Sequence, residues 1–206
     1  MFAIRLLQKA KTHHHNNNQQ NVQGSVAPAD LDPHIAHHYG IPSTASILAF
    51  DPIQRLMAIG TLDGRIKVVG GDNVEGLLIS PKQLPYKNLE FLHNQGFLVS
   101  VSNENDIQVW DLEHRQIASS LKWECNITAF SVIPGTHFMY IGDEYGMVSV
   151  LKYDAEEVAI LQLPYHIPAN SLADAAGVSL PDHISVVGVL PQPCTSGNRQ
   201  DILNVI

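Results

Sequence analysis

Short apolar runs separated by polar turns set the pattern of this sequence from residue 44 onward. Residues 97–101 are apolar and largely β-branched, residues 103–106 are polar, and in residues 107–109 apolar and polar positions alternate. An alternation of period two on either side of a polar turn predicts a β-hairpin. The hairpin ends at Trp110-Asp111, a dipeptide that is typical of propeller blades.

The same pattern recurs on both sides of this hairpin at a spacing of 41 residues. Corresponding residues are Leu48 and Leu89, Ala58 and Val99, the turn residues Gly64, Asn105 and Gly146, and the strand residues Ile66, Ile107 and Val148. The first strand of the third unit, residues 127–130, lies two residues early, and the turn at residues 134–136 absorbs this offset. Repeats of about 41 residues with four strands each predict propeller blades. A β-sandwich is the alternative, because its strands also follow one another closely.

The repeats predict the fold class and the domain organisation. The fold is all-β, a WD-repeat-like β-propeller truncated to about three and a half blades, over residues 31–206. Blades are predicted at residues 44–80, 86–122 and 127–163, followed by an insert at 164–183 and a partial blade at 184–206. The insert holds prolines and a helix-compatible stretch at residues 171–177. Because long loops are often functional, it is the first candidate for a partner surface.

Residues 1–30 are predicted to be a disordered low-complexity leader. They contain a tract of three histidines at residues 13–15, followed by Asn, Gln, Gly, Ser and Pro, and have little apolar content to offset the cost of ordering. The first residues carry basic side chains and no acid before Asp30, so a transit peptide or a membrane-surface helix is an alternative to a frayed leader helix. The histidines have no Cys or carboxylate partner at metal-binding spacing.

The charge balance argues against a nucleic-acid partner. The chain has 20 acidic and 12 basic residues and a net charge of −8, whereas a phosphate backbone requires clustered Lys and Arg. A locally basic face remains the alternative. The two cysteines, Cys125 and Cys194, form no disulfide framework, which favours a reducing cytosolic setting. No apolar run approaches the roughly 20 residues of a membrane span.

No catalytic residue, cofactor site or metal site is predicted. The sequence lacks a phosphate loop, a Gly-x-Ser-x-Gly elbow and a Cys-x-x-Cys pair. Gly70-Gly71-Asp72 is interpreted as a tight turn rather than a phosphate cradle. The acidic cluster at residues 154–157 is interpreted as a solvated turn, and the strand residue His137 as a packed or rim histidine rather than a general base.

Aromatic side chains are predicted to pack between blades. Phe50, Phe91 and Phe130 occupy one repeat position, which indicates a ring of core anchors. Trp110, in an outward strand of the second blade, is also expected to pack between blades.

The first blade carries a family resemblance. The segments at residues 39–42, 48–52, 57–61, 64–68 and 73–76 together resemble the opening blade of the lethal giant larvae and tomosyn family of WD-repeat proteins. The resemblance is closest to plant tomosyn-like proteins and covers roughly residues 31–199. Ordinary WD repeats seldom carry this combination.

The resemblance implies a function. Members of this family have two stacked propellers in a long chain and act as non-enzymatic regulators of vesicle exocytosis. They bind plasma-membrane SNAREs of the syntaxin type, use no cofactor, are often described as GTPase regulators, and are cytoplasmic with peripheral association at the plasma membrane. The alternative is a generic WD-repeat scaffold for another protein complex.

The sequence also departs from the family pattern. The usual turn Asp of WD repeats is matched by Asp63, but Glu104 and Tyr145 stand at the equivalent positions, so the usual hydrogen-bond network is expected to be incomplete. Beyond residue 199 the pattern stops, which indicates a truncated or mis-spliced product or a wrong gene model. Because an unclosed propeller leaves open sheet edges, residues 31–206 alone are expected to be aggregation-prone or only partly folded.

Overall fold

The structure, a computed structural model, describes residues 40–71, 73–180, 184–192 and 202–205. The first sheet contains β1 (Ala45–Asp51), β2 (Leu56–Thr61), β3 (Arg65–Gly70) and β4 (Glu75–Ile79). The second contains β5 (Tyr86–Leu92), β6 (Phe97–Ser102), β7 (Asp106–Asp111) and β8 (Gln116–Lys122). The third contains β9 (Ile127–Val132), β10 (Phe138–Asp143), β11 (Met147–Asp154) and β12 (Ala159–Pro168). A helix, α1 (Ala169–Ala175), and a two-stranded sheet of β13 (Val189–Gln192) and β14 (Ile202–Val205) follow.

Every four-stranded sheet is antiparallel, with its strands in chain order. The first strands of successive sheets, β1, β5, β9 and β13, contact one another in sequence. This series of up-and-down sheets is the arrangement of propeller blades around an axis. The predicted all-β propeller fold is therefore confirmed, with strands close to the positions that the 41-residue spacing predicts.

Apolar cores lie between successive sheets, because the two inner strands of each sheet bury consecutive side chains and therefore side chains on both faces. One core joins the first and second sheets, a second joins the second and third, and a third lies between the third sheet and the segment of Val186 and Val189. We call the face of a sheet that is directed toward the preceding sheet its upstream face, and the opposite one its downstream face. Ile66, Ile107 and Val148, which share one repeat position, are each fully buried.

Two of the three predicted phenylalanine anchors are buried, but the three do not share one repeat position: Phe50 pairs with Met57 and Phe91 with Leu98, whereas the corresponding Met139 pairs with Val132. On the upstream faces of the second and third sheets, Phe91 is 2% exposed against the first sheet and Phe130 is 6% exposed against the second. Phe50, on the upstream face of the first sheet, is 58% exposed, so its prediction as a core anchor is wrong. The reason is that no described sheet packs on this face.

Trp110 packs between sheets, as the sequence predicts. Its ring lies in the core between the first and second sheets and is 1% exposed. Its indole Nε1 donates a hydrogen bond of 2.9 Å to the Oγ of Ser100 on the neighbouring strand, which leaves no buried donor unsatisfied on this ring.

The third sheet extends further than the sequence suggests. Its last strand, β12, continues to Pro168, five residues beyond the predicted blade boundary at residue 163, and the helix begins directly after it. The pairing of β11 with β12 shifts register between Ser149 and Leu151. His137, which the sequence places in a strand, lies in the bend before β10, half-buried with its ring 6.3 Å from that of Tyr153.

Two carboxylates connect neighbouring sheets. Asp51 holds its own turn by accepting from the backbone N–H of Ile53 at 2.8 Å, and its second oxygen accepts from the N–H of Asn94 in the next sheet at 2.9 Å. Glu90 of β5 accepts a hydrogen bond of 2.8 Å from the N–H of Val132 in β9. Burial raises the pKa of Glu90 to about 7, although this hydrogen bond partly opposes the effect.

Candidate interaction surface

One end of the molecule presents the turns between the second and third strands of each sheet. We call this end the turn surface; it contains the β2–β3, β6–β7 and β10–β11 turns and the linkers that follow each sheet. Backbone hydrogen bonds join each linker to the turn of its own sheet: Ser80 to Gly64, Trp123 to Asn105, and Ala169 to Gly146. Turns and linkers therefore form one connected surface on a rigid scaffold, where recognition residues are commonly found.

The three turns are closed by side chains at one repeat position, Thr61, Ser102 and Asp143. In each turn the side-chain oxygen accepts from the backbone N–H four residues later, at 3.0, 3.1 and 2.9 Å respectively. All three side chains are buried, and each satisfies a backbone donor of its own turn. The sequence reasoning missed this set, although the 41-residue spacing that aligned the neighbouring glycines also aligns these residues.

The backbone of each turn passes through a left-handed residue. Gly64, Asn105 and Gly146 have φ angles of 75°, 64° and 75°. At Gly64 the space is also closed, because a Cβ there would lie 2.5 Å from the backbone of Gln83 in the linker. The linker can therefore follow the turn closely only because this residue has no side chain.

A lysine of the second sheet fixes the linker to the third. The Nζ of Lys87 donates to the side-chain oxygen of Asn105 at 2.5 Å, to that of Asn126 at 3.0 Å and to the carbonyl of Ile127 at 2.6 Å. Burial lowers the pKa of Lys87, and the nearby carboxylate of Glu144 opposes this shift. These contacts hold the start of the third sheet against the turn of the second.

A second ionic contact ties the first linker to the same turn. The carboxylate of Asp106 is buried, and both of its oxygens accept from the Nζ of Lys82 at 2.9 Å. Lys122 lies 3.8 Å from the same carboxylate. By contrast, Asp63 stays within its own turn, where it accepts from Thr61 Oγ1 at 2.5 Å and pairs with Arg65 at 3.2 Å.

The turn surface exposes apolar side chains among carboxylates. Leu62 is 60% exposed and Tyr145 is 74% exposed at the tips of the first and third turns. Glu104 and Glu144 are exposed at the tips of the second and third turns. Leu62 and Tyr145 thus stand singly on different turns, each next in sequence to an acidic residue, Asp63 and Glu144.

The predicted insert also lies at this end. After β12, helix α1 and the segment to Leu180 enclose an open cleft of about 450 Å³, lined by Asn170, Asp174 and residues 177–180. The chain then returns to the sheet, where Ile184 packs over Gly146 and the N–H of Val186 donates to the carbonyl of Asp143 at 3.0 Å. The structure thus places the insert beside the third turn.

Two turns that the sequence predicts, at residues 70–72 and 154–157, are tested by hydrogen bonds in the structure. The N–H of Val74 donates to the carbonyl of Gly71 at 3.1 Å, which confirms a tight turn there. Asp154 accepts from the N–H groups of Glu156 and Glu157 at 3.1 and 3.2 Å, which confirms the turn interpretation of that acidic cluster. The leader at residues 1–30, its histidine tract, Asp72 and Cys194 lie outside the described residues.

The part of the chain that the structure describes contains no group of three or more His, Cys, Asp or Glu side chains placed to hold a metal ion. Within the same ranges, no helix has the length and apolar character needed to cross a membrane.

Comparison with solved structures shows the propeller fold. The chain superimposes on Hsv2 of Kluyveromyces lactis with a TM-score of 0.51 at 12% identity, over 61% of this chain and 48% of that one. It superimposes on Sqt1 of Saccharomyces cerevisiae with a TM-score of 0.51 at 17% identity, over 61% of this chain and 36% of that one. At these identities the likeness concerns the fold alone.

Comparison of sequences identifies relatives. No family model matches the chain. It is 33% identical over 84 residues to the human lethal(2) giant larvae protein homolog 1, covering 41% of this chain and 8% of that protein. It is 26% identical over 125 residues to the homolog SRO77 of Saccharomyces cerevisiae, covering 61% of this chain and 12% of that protein. The chain therefore spans only about a tenth of the length of these curated relatives. These partial matches confirm the predicted resemblance to the lethal giant larvae and tomosyn-like family of WD-repeat proteins.

Proposed function

We propose that this chain is a non-enzymatic protein-binding module that takes part in the regulation of vesicle exocytosis by binding plasma-membrane SNAREs of the syntaxin type. The observation that carries this proposal is the sequence similarity to lethal giant larvae proteins. The setting we propose is the cytoplasm, with peripheral association at the plasma membrane. Because the chain spans only about a tenth of the length of the matched relatives, an activity of those whole proteins applies to this chain as a proposal.

The turn surface supports the proposal physically. Side-chain caps, left-handed residues and the Lys87 contacts hold its turns in fixed positions, so a partner meets a preformed surface. Preformed surfaces bind without the entropic cost of ordering loops. Leu62 and Tyr145 supply apolar contact, and the carboxylates around them supply charge selectivity.

The test is direct binding of the purified chain to the cytosolic domain of a plasma-membrane syntaxin, measured by biolayer interferometry. We expect binding that falls at least tenfold when Leu62→Ala and Tyr145→Ala are combined, as for loss of interface anchors. The matched control combines Ile53→Ala and Glu156→Lys, which alter exposed turns outside the turn surface, and should bind as the native chain does.

The insert requires its own variant. Because β12 continues to Pro168 and Ala169 is bonded to the third turn, a deletion of the whole predicted insert would damage the sheet. Replacing residues 171–180 with a Gly-Ser linker removes most of α1 and the cleft and leaves β12 complete. Unchanged syntaxin binding by this variant would exclude the insert as a contact. Absence of binding by the native chain would favour the generic scaffold.

A further inference from the structure

The seam between the second and third sheets is fixed firmly at the turn surface. Lys87 donates there to three oxygens, two of which lie at the start of the third sheet. The N–H of Ile127, the first residue of β9, also donates to the side-chain oxygen of Asn105 at 3.0 Å. Because these hydrogen bonds converge on one place, this end of the seam can open only by losing several of them together.

The opposite end of the same seam is held more loosely. The Nε2 of Gln95, in the β5–β6 turn, donates to the carbonyl of Thr136 before β10 at 3.4 Å, which is long for a hydrogen bond. The Oε1 of Gln95 is buried and has no hydrogen-bond partner within the described part of the chain. The rings of Phe97 and Tyr153 pack edge to face, with their centroids 4.9 Å apart. Contacts at this end therefore separate more easily than those at the turn surface.

Glu90 forms a further contact at this looser end. Its carboxylate accepts from the N–H of Val132, the last residue of β9, at 2.8 Å. Because burial raises the pKa of Glu90 to about 7, the group changes its charge close to neutral pH. The contact thus depends on a side chain that titrates within the ordinary working range of a protein.

The surroundings of Glu90 in the described part of the chain supply no counter-charge. The neighbouring strands β2, β6 and β9 carry no titratable side chain. The titratable groups of the other neighbouring elements are Asp51 of β1, Tyr86 and Lys87 of β5, His93 in the β5–β6 turn, His137 before β10 and Tyr153 of β11. None of these groups forms an ion pair with Glu90, whose pKa shift arises from burial. Ionisation of Glu90 therefore places an uncompensated negative charge in the seam.

We propose that the seam between the second and third sheets is a pH-sensitive hinge, which pivots at the Lys87 contacts and opens at the opposite end when Glu90 ionises. An uncompensated carboxylate is more stable in water than in a buried position, so its ionisation favours the open, hydrated arrangement. The open population grows as the pH rises from the ordinary glutamate range through pH 7 and levels off above it. Because the pivot keeps the turns of the turn surface in place, the hinge is independent of the partner binding proposed above.

Hydrogen exchange of single backbone amides, resolved by NMR and normalised to the intrinsic exchange rate at each pH, tests the hinge. The reporter is the N–H of Val132, which Glu90 holds in the closed arrangement. We expect its normalised exchange to rise about tenfold from about pH 6 to about pH 8.5, because the carboxyl ionises near pH 7 when the seam is closed and at its ordinary value when it is open. Glu90→Gln keeps an acceptor but does not ionise, so its normalised exchange should stay constant.

Two other amides and one variant are the matched controls. The N–H of Ile127 at the pivot and the N–H of Asn94 in the seam between the first and second sheets should not respond to pH. Glu104→Gln, at an exposed turn tip, should behave as the native chain does. An equal rise at all three amides shows global unfolding instead of a hinge and overturns the proposal. A Val132 amide that does not respond, or that responds equally in Glu90→Gln, overturns it as well.

Discussion

Val158 has a backbone conformation that its side chain disfavours. It lies in the turn between β11 and β12 with a φ of 54°, and its side chain is exposed. A β-branched residue in the left-handed region is strained by about 1 kcal/mol or more, whereas Asn tolerates it. We expect Val158→Asn to raise the free energy of unfolding by about 1 kcal/mol in urea titration. Val178→Asn, at an exposed valine without positive φ, should give no gain; an equal gain there would contradict the explanation.

Glu90 makes stability depend on pH. Because its pKa rises to about 7 in the folded protein, the folded state binds more protons than the unfolded state between the ordinary glutamate value and pH 7. This contribution to stability therefore falls as the pH rises through that window. Glu90→Gln keeps an acceptor for the N–H of Val132 and removes the charge, so we expect it to stabilise the protein by about 2 kcal/mol at pH 8.

The measurement is urea unfolding of both proteins at pH 5 and at pH 8. At pH 5, where Glu90 is protonated in the folded state, the two should differ far less than at pH 8. Glu104→Gln, at an exposed turn tip, is the control and should follow the native pH profile. A Glu90→Gln variant whose stability falls with pH as the native protein's does would show that another group is responsible.

At the scale of single elements, the β2–β3 turn depends on the absence of a side chain. Gly64→Ala adds a Cβ that lies 2.5 Å from the Gln83 backbone, at a φ of 75°. Gly135→Ala has a φ of 76° but open space, and Gly76→Ala in β4 has neither problem. We expect Gly64→Ala to lower the free energy of unfolding by roughly 2–4 kcal/mol and Gly135→Ala to lower it by about 1 kcal/mol. Gly76→Ala should lower it by less than about 0.5 kcal/mol. Equal losses for Gly64 and Gly135 would show that the linker moves aside.

The spacing of apolar residues predicts most strands because each blade repeats the same alternation, and the turn residues Gly64 and Asn105 locate the hairpins. It fails at β12, where Pro164 and Pro168 indicate a loop. The structure accommodates Pro164 because β12 is an edge strand and its pairing shifts register between Gln162 and His166, so no ladder hydrogen bond is required of it. The edge position of β12 and its register shift depend on how the strands pair, so the residues around Pro164 do not reveal them in the sequence.

At the scale of the whole molecule, Lys87 couples the second and third sheets. Lys87→Met keeps much of the apolar stem but leaves the oxygens of Asn126 and Ile127 without their donor. We expect it to lower the free energy of unfolding by about 1–3 kcal/mol in urea titration. Lys152→Met, which removes a 3.0 Å pair with Asp154 inside one sheet, should lower the free energy of unfolding clearly less than Lys87→Met does. Comparable losses would argue against a special role for Lys87.

The candidate site was only partly predictable. The sequence located the insert, but not the capping set of Thr61, Ser102 and Asp143, because a hydroxyl and a carboxylate do not look alike in a pattern of apolar and polar positions. It also placed Phe50 in the core, since repeat position alone does not show whether a neighbouring sheet is present. Burial at this position is a property of the assembly and not of the residue.

The strand order within the sheets has a consequence for synthesis. Each sheet is built from strands that follow one another in the chain, so every hairpin can pair as soon as it leaves the ribosome. Pairing of this kind closes short loops and favours rapid folding compared with long-range strand pairing. The upstream face of each later sheet then meets a surface that already exists, and the blades assemble vectorially, in the order of translation.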